Sequence, residues 1–281
     1  MIEYIKHHLV DVAALVVAVS FLLVLILFLR KKRNRYRVRF YFSFLMYKLG
    51  IKKRISRTHI SRIHVRECYE PLVELVKHPK IFYNNDTLEH PVLLRKAVAM
   101  KLYKVADRLP DGVYLKVYSA FRSRISVYNV WKQEEERMTI ENPQMNRGEL
   151  LKLVNSRVAS PSANMHGHDT GAAVDVALCD SNQNDFDFGT KINDKNKNHH
   201  LTSEQKSNLM MLRKMMRSQN FIANPDRWWH FSYGDKIWSA YKGKRNGAFY
   251  GAAEKDLFEV SDKIVKSDYV AMDELLANAF D

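Results

Sequence analysis

Two short stretches of the sequence carry side chains that can do chemistry. The first runs from His166 to Asp175 (HGHDTGAAVD), and the second is Trp228-Trp229-His230. Two imidazoles and one carboxylate are a common ligand set for catalytic zinc, which keeps a fourth coordination position for water or substrate. Asp175 stands in an otherwise apolar segment, where a buried carboxylate needs a cation or several donors. Ligands on separate strands keep no fixed sequence interval, so ordinary structural histidines remain the alternative at this point.

The apolar pattern of the surrounding segments predicts the elements that must hold these side chains. Short alternating runs predict strands at 113–118, 171–178 and 228–233. Apolar residues three or four positions apart predict a helix at 91–109. We also expect helices at 125–136, 148–158 and 203–219, the last with methionine and leucine side chains available for burial. Because strands and helices are intermixed at short separations, we expect an α+β domain.

The chemistry-bearing residues resemble a known family, the zinc D-alanyl-D-alanine dipeptidases and their D-Ala-specific carboxypeptidase relatives. That family's signature is Ser-x-His-x-x-Gly-x-Ala-x-Asp followed later by Glu-x-x-His. His168, Gly171, Ala173 and Asp175 fall on the first pattern, and His230 falls on the second. The resemblance extends over residues 60–245, through further segments in family order: 67–73, 94–96, 109–110, 120–122, 188–190, 198–200 and 228–231.

The resemblance implies both a fold and a set of site residues. It implies an antiparallel sheet with flanking helices, and it implies that His168, Asp175 and His230 bind zinc. Arg122 matches the family's arginine that stabilises the oxyanion developing at the scissile carbonyl. A fixed cation at that place contributes about a few kcal/mol to catalysis. The implied substrate is a D-Ala-containing dipeptide or a peptidoglycan fragment.

Three polar positions around the implied substrate depart from the family pattern. The glutamate of Glu-x-x-His, the general base, is replaced by Arg227, and arginine does not give up its proton in proteins. His166 replaces the serine two places before the first ligand. Asn193, followed by Asp194, stands where an acidic residue is expected to hold the ammonium group of the substrate.

These departures leave two interpretations of the same domain. In the first, it is a peptidase in which Asp226, His166 or another group takes the proton. Asp226 is adjacent to position 227, where the base is lost, but on a strand adjacent side chains point to opposite faces, which makes a simple exchange of roles awkward. In the second, it is a catalytically impaired zinc-binding homologue that binds D-Ala-terminated peptides or has a membrane-tethered structural role. The resemblance favours the peptidase. A membrane protein with a structural role and no zinc is a third class.

The positive charge of the chain is confined to one segment. Residues 30–66 contain fourteen of the 45 Lys and Arg and no Asp or Glu, so the remaining 31 basic residues balance the 31 acidic ones. A basic segment beside an apolar run suits anionic membrane lipids better than a nucleic-acid groove. We therefore expect residues 30–66 to contact anionic lipids, and we expect no nucleic-acid partner.

The apolar run at 12–29 has no charged residue and is followed directly by Arg-Lys-Lys-Arg. Its length predicts a transmembrane helix, because a cleaved signal peptide has a shorter apolar core and a small-residue cleavage site. Seven basic residues follow it at 30–39, against one, Lys6, before it. The positive-inside rule predicts a single-pass protein of the inner (cytoplasmic) membrane with a cytoplasmic soluble domain, the periplasmic or external side being the alternative.

These features divide the chain into five segments. We expect a short N-terminal segment at 1–11, the transmembrane helix at 12–29, a basic juxtamembrane segment at 30–58, the zinc peptidase-like domain at 59–245 and a helical C-terminal tail at 246–281. Within the basic segment, the aromatic run 40–47 is either interfacial or packed against the domain. Two cysteines, Cys68 and Cys179, are too few for a disulfide scaffold.

Overall fold

The computed structural model describes residues 17, 19, 20, 28–84, 91–158, 167–194 and 200–253. These residues form two compact units that divide between Ser56 and Arg57. Most of the predicted transmembrane segment at 12–29 lies outside the described residues, and so does the predicted helix of the tail beyond residue 253. Within the described ranges, no helix is both long enough and apolar enough to span a bilayer.

The first unit contains one long helix, α1, which spans Lys32–Lys48. Helix α1 follows Lys31, whose backbone is extended, with φ −72° and ψ 120°. It therefore includes the aromatic run 40–47 and many of the basic residues of the segment 30–58.

The second unit is an α+β fold, as the sequence predicts. In chain order its elements are α2 (Arg57–Ser61), β1 (Leu72–Glu74), β2 (Ile81–Tyr83), β3 (Leu93–Arg95), α3 (Lys96–Asp107), β4 (Tyr114–Ser119), α4 (Arg124–Glu141), α5 (Arg147–Arg157), a 3₁₀ turn (His168–Thr170), β5 (Ala173–Cys179), α6 (Ser203–Ser218), β6 (Ile222–Ala223), β7 (His230–Ser232) and α7 (Lys236–Tyr241).

The main sheet has five strands in the order β2-β4-β5-β7-β6. Strand β2 pairs with β4 in parallel, whereas the other three pairs are antiparallel. The expectation of a purely antiparallel sheet is therefore wrong at this edge. The chain leaves β2, forms β3 and α3, and only then enters β4, and such a long crossover allows parallel pairing.

The core lies between the sheet and helices α3 and α6. All seven residues of β5 are buried, which explains why the strand reads as a nearly continuous apolar run. Helix α3 contributes Val98, Leu102 and Val105, and each of these side chains is fully buried. Their spacing of three or four residues places them on one helix face.

Two sequence-based boundaries differ from the structure. The helix predicted at 91–109 is shorter, because Leu93–Arg95 forms β3 and pairs antiparallel with Leu72–Glu74. The strand predicted at 228–233 is only His230–Ser232, because the segment before it forms bends and a turn. That turn is closed by the backbone N–H of His230, which donates to the carbonyl oxygen of Arg227 at 3.1 Å.

Candidate metal centre

Strands β5 and β7 place a carboxylate and an imidazole side by side. In their antiparallel register, Asp175 stands directly opposite His230. Asp175 Oδ1 lies 2.8 Å from His230 Nδ1, and both residues are 4% exposed. Cross-strand neighbours on one face of a sheet lie close enough for direct side-chain contact, so backbone pairing alone creates this half of the site.

The third side chain comes from the turn that leads into β5. His168 opens the 3₁₀ turn, and Gly171 closes it in the left-handed conformation, with φ +66°. Nε2 of His168 lies 3.3 Å from Asp175 Oδ2, and the rings of His168 and His230 meet edge to face with centroids 4.9 Å apart. The two histidines therefore approach the same carboxylate from different elements.

Gly171 is required for this turn. A Cβ atom at Gly171 would lie 2.3 Å from Leu72 Cδ2 and 3.3 Å from the backbone nitrogen of Arg95. The Arg95 N–H donates to the carbonyl oxygen of Gly171 at 2.9 Å. Only glycine combines a positive φ with such close approach, so Gly171 allows the tight turn that places His168 beside Asp175.

The hydrogen bonds of His168 fix which nitrogen can bind a cation. Its Nδ1 lies 2.7 Å from the carbonyl oxygen of Ala120, which can only accept, so Nδ1 carries the proton. Nε2 is then left with a lone pair that faces Asp175. A backbone carbonyl that orients a ligand histidine in this way is a usual feature around protein-bound metals.

One atom from each of the three side chains can bind a common ion. These atoms, from His168, Asp175 and His230, all lie within 4.8 Å of one another. Ligands about 2.0–2.1 Å from a tetrahedral zinc ion are about 3.3 Å apart, close to the His168–Asp175 separation. The donor set, spacing and tautomer of His168 therefore fit a divalent ion of the zinc type.

The electrostatics favour the protonation states that bind metal. Burial raises the pKa of Asp175, but the charges and hydrogen bonds of His168 and His230 outweigh it and hold the pKa below its usual range. Burial lowers the pKa of His168 and so favours the neutral imidazole, although Asp175 acts in the opposite direction. An ionised carboxylate and a neutral imidazole are the forms that coordinate a cation.

The structure adds two residues beside His230 that sequence reasoning missed. Ser232 Oγ lies 3.4 Å from His230 Nε2. Asp235 is 2% exposed, and its Oδ1 accepts from the backbone N–H of Trp238 at the start of α7. Its Oδ2 and His230 Nε2 are both within 3.5 Å of where a Cβ at Gly167 would stand. No sequence motif marks either residue as a neighbour of His230.

Of the other predicted site residues, Arg122 lies beside the cluster of His168, Asp175 and His230, and the remainder lie elsewhere or outside the described residues. Arg122 follows β4, its backbone N–H donates to the carbonyl oxygen of His168 at 3.2 Å, and its charge contributes to lowering the pKa of His168. Arg227 and Asp226 are exposed in the turn before β7. Because that turn is not a strand, the expected alternation of the two side chains does not apply. His166 lies outside the described residues.

The segment that contains Asn193 contacts the turn before β7. Trp228 Nε1 donates to Thr190 Oγ1 at 3.0 Å, and the Trp228 ring stacks on Phe188 with centroids 4.2 Å apart. Asn193 is exposed and has φ +64°, and Asp194 is half-buried. Two of the three departures from the family pattern therefore lie on segments that contact each other.

This α+β fold, with an imidazole–carboxylate–imidazole cluster on strands β5 and β7 and the turn before β5, defines a candidate metallohydrolase. The sequence model of the D-Ala-D-Ala dipeptidases, peptidase family M15, matches residues 85–245. The match covers more than half of the chain, which therefore belongs to this family of peptidases. The resemblance seen in the sequence is confirmed.

Individual relatives match more distantly. A D-alanyl-D-alanine dipeptidase of Synechocystis sp. is 31% identical over 108 residues, which cover 31% of this chain and 44% of that relative. A vancomycin-resistance D,D-pentapeptidase, VanY, solved in complex with Zn(II), is 17% identical with a TM-score of 0.37, covering 70% of this chain and 99% of that one. VanYB in complex with D-Alanine-D-Alanine is 15% identical with a TM-score of 0.36, covering 72% and 99%.

Proposed function

We propose that this protein is a zinc metallopeptidase that hydrolyses D-Ala-D-Ala or a related D-Ala-terminated cell-wall peptide. The observation that carries the proposal is the convergence of His168, Asp175 and His230 within 4.8 Å in a chain of the D-Ala-D-Ala dipeptidase family. The curated relative is itself a D-alanyl-D-alanine dipeptidase, although the match spans less than half of its length.

The side chains of this site have separate proposed roles in hydrolysis. Zinc, when bound, acts as a Lewis acid and lowers the pKa of water. His168, Asp175 and His230 would hold the ion, and the Ala120 carbonyl keeps His168 in the orientation that exposes Nε2. Arg122 supplies a positive charge for the oxyanion that develops at the scissile carbonyl.

The general base is the part of the mechanism that this chain changes. Arg227 stands at the family's glutamate position and remains protonated, so it serves as a charge and not as a base. Asp226, the neighbouring carboxylate, is our candidate for a substitute, since both side chains lie in a turn and not in a strand. His166 is the other candidate. Asn193 and Asp194 are the candidates for contact with the substrate ammonium group.

A second function is favoured by the same substitution. With Arg227 in place of the base, the domain is a zinc-binding homologue that binds D-Ala-terminated peptides with little or no turnover. Loss of a positioned general base commonly lowers the rate of the catalysed step by about 10²–10⁴. The active peptidase and the impaired homologue therefore differ in the rate at which they hydrolyse the peptide.

We also propose that residues 12–29 anchor the protein in the inner membrane. Support comes from the uncharged apolar run and from the basic residues that follow it. The charge asymmetry favours a cytoplasmic domain, which would meet free dipeptide or recycled wall fragments. A domain on the other side would meet intact peptidoglycan stems. A reporter fused after residue 281 distinguishes the two sides.

Hydrolysis of D-Ala-D-Ala by the zinc-loaded protein tests the proposed activity. We expect D-Ala release that stops on chelation and returns with zinc, and we expect no hydrolysis of L-Ala-L-Ala. Calorimetric titration with D-Ala-D-Ala serves as the second measurement. Binding without release would support the impaired homologue, and neither binding nor release would contradict both functions.

A further inference from the structure

Helix α1 exposes an apolar stripe. Val38, Tyr41, Phe42 and Leu45 are 47%, 48%, 59% and 49% exposed. Their spacing of i, i+3, i+4 and i+7 places them on one face of the helix. The opposite face carries Phe40 and Ser43, which are buried. The stripe is therefore the exposed face of the helix.

The apolar surface continues beyond the start of α1. Phe28 joins Val38, Tyr41, Phe42 and Leu45 in lining one shallow groove, together with Arg37. Residues 28–30 are helical, and the chain then turns at Lys31, where the backbone is extended. One apolar surface thus includes side chains on both sides of the break at Lys31.

Side chains of α1 hold this bend in place. Asn34 Nδ2 donates to the carbonyl oxygen of Phe28 at 2.8 Å. Arg35 Nη1 donates to the carbonyl oxygens of Leu29 and Arg30 at 3.1 and 3.2 Å. The carbonyl groups left free at the end of the first segment are therefore satisfied by side chains, so the bend is a defined structure.

Basic side chains border the stripe on both sides. At about 100° per residue, Arg35 and Arg39 fall along one edge and Arg37 and Lys48 along the other. The segment 30–66 contains no acidic residue among its fourteen basic ones. Arginine and lysine at such borders extend their charged ends away from the apolar surface while their stems cover it.

We propose that α1 lies in the headgroup layer of an anionic membrane leaflet, with Val38, Tyr41, Phe42 and Leu45 towards the acyl chains. An apolar stripe between two rows of basic side chains is the pattern of helices that lie in the membrane interface. The charge of the segment selects lipid phosphate as the occupant, because every charged Lys, Arg, Asp or Glu between residues 30 and 66 is positive. This inference does not rest on the proposed peptidase activity.

Spin labels on the intact chain test the proposal. Cys68 is exposed, so Cys68→Ser leaves only the buried Cys179 as background. Val38→Cys, Phe42→Cys and Leu45→Cys report on the stripe, and Arg39→Cys, on its border, is the matched control. Each labelled protein is reconstituted into phosphatidylcholine vesicles with or without phosphatidylglycerol, and accessibility to oxygen and to a water-soluble nickel chelate is measured.

The proposal predicts a pattern along the helix. In anionic vesicles the ratio of oxygen to nickel accessibility is several-fold higher at 38, 42 and 45 than at 39. Replacing Arg37, Arg39 and Lys48 by Gln reduces that ratio and removes the difference between the two lipid mixtures. Labels that are all open to nickel overturn the proposal, and stripe labels shielded from both reagents overturn it in favour of a protein or a second copy. The readout is local, so it does not depend on whether residues 12–29 span the membrane.

Discussion

Asp175 and His230 face each other across the β5–β7 pair, with 2.8 Å between Oδ1 and Nδ1. Both residues lie in strands of the main sheet, so their separation is set by backbone pairing. A slip of one residue would turn one of the side chains to the other face of the sheet. Any change that preserves the β5–β7 register should therefore preserve this half of the candidate metal centre.

Replacing either histidine should release the metal. His168→Ala and His230→Ala each remove one of three protein ligands, and the remaining two donors do not close a zinc site. We expect the purified variants to lose stoichiometric zinc while remaining folded, as measured by elemental analysis and circular dichroism. His78→Ala is the matched control, because His78 pairs with Asp107 instead. Full zinc content in both ligand variants would refute the assignment.

The sequence predicted the candidate ligands through family resemblance and not through spacing. The motif from His168 to Asp175 could be recognised because both residues belong to one continuous turn and strand. His230 lies 55 residues after Asp175, and no local pattern shows that the two strands pair. Ser232 and Asp235 were missed for the same reason, because only the folded chain places them close to His230.

The fold was predictable where the apolar residues of an element recur at a clear helical or strand spacing. Helix α3 and strand β4 follow their apolar patterns closely. The strand Leu93–Arg95 was hidden in the helical pattern of α3, because three residues carry too little periodicity to separate the two structures. The parallel pairing of β2 with β4 depends on the path of the chain between them, which apolar periodicity does not encode.

Adding a methyl group to Gly171 should destabilise the domain. Gly171→Ala places a Cβ 2.3 Å from Leu72 Cδ2 at φ +66°, so it adds a steric overlap to backbone strain. Left-handed backbone costs a non-glycine residue about 1–2 kcal/mol, and overpacking adds about 1–3 kcal/mol. Urea denaturation measures the loss in free energy of unfolding.

Gly112→Ala separates the two contributions to this loss. Gly112 has φ +76°, and its added Cβ would meet nothing within 4 Å. It should therefore show only the backbone cost of about 1–2 kcal/mol. Equal losses in the two variants would mean that Leu72 moves aside freely and that the close approach at Gly171 has no energetic consequence.

Removing the guanidinium of Arg122 should slow turnover without releasing zinc. The backbone of Arg122 contacts His168, while its side chain supplies the charge proposed for the oxyanion. Loss of one oxyanion-stabilising group commonly lowers kcat by about 10²–10³, so Arg122→Ala should fall in that range at unchanged metal content. Arg137→Ala is the control, since Arg137 pairs with Glu134 and Glu141 on the surface of α4. A change in KM alone would assign Arg122 to substrate binding.

Restoring a carboxylate at position 227 should raise the rate of hydrolysis. Arg227 lies three residues before His230, and its carbonyl oxygen accepts a hydrogen bond from the backbone N–H of His230. The side chain at position 227 is therefore attached close to a candidate metal ligand. Arg227→Glu supplies the family's general base, and a positioned base contributes about 10²–10⁴ in rate. Arg227→Gln removes the charge without supplying a base and is the control for electrostatic effects. If kcat/KM for D-Ala-D-Ala rises only in Arg227→Glu, the wild-type rate is limited by the loss of the family's general base. If both variants rise equally, the positive charge was the obstacle. If neither rises, another group such as Asp226 already takes the proton, and Asp226→Asn should then abolish turnover.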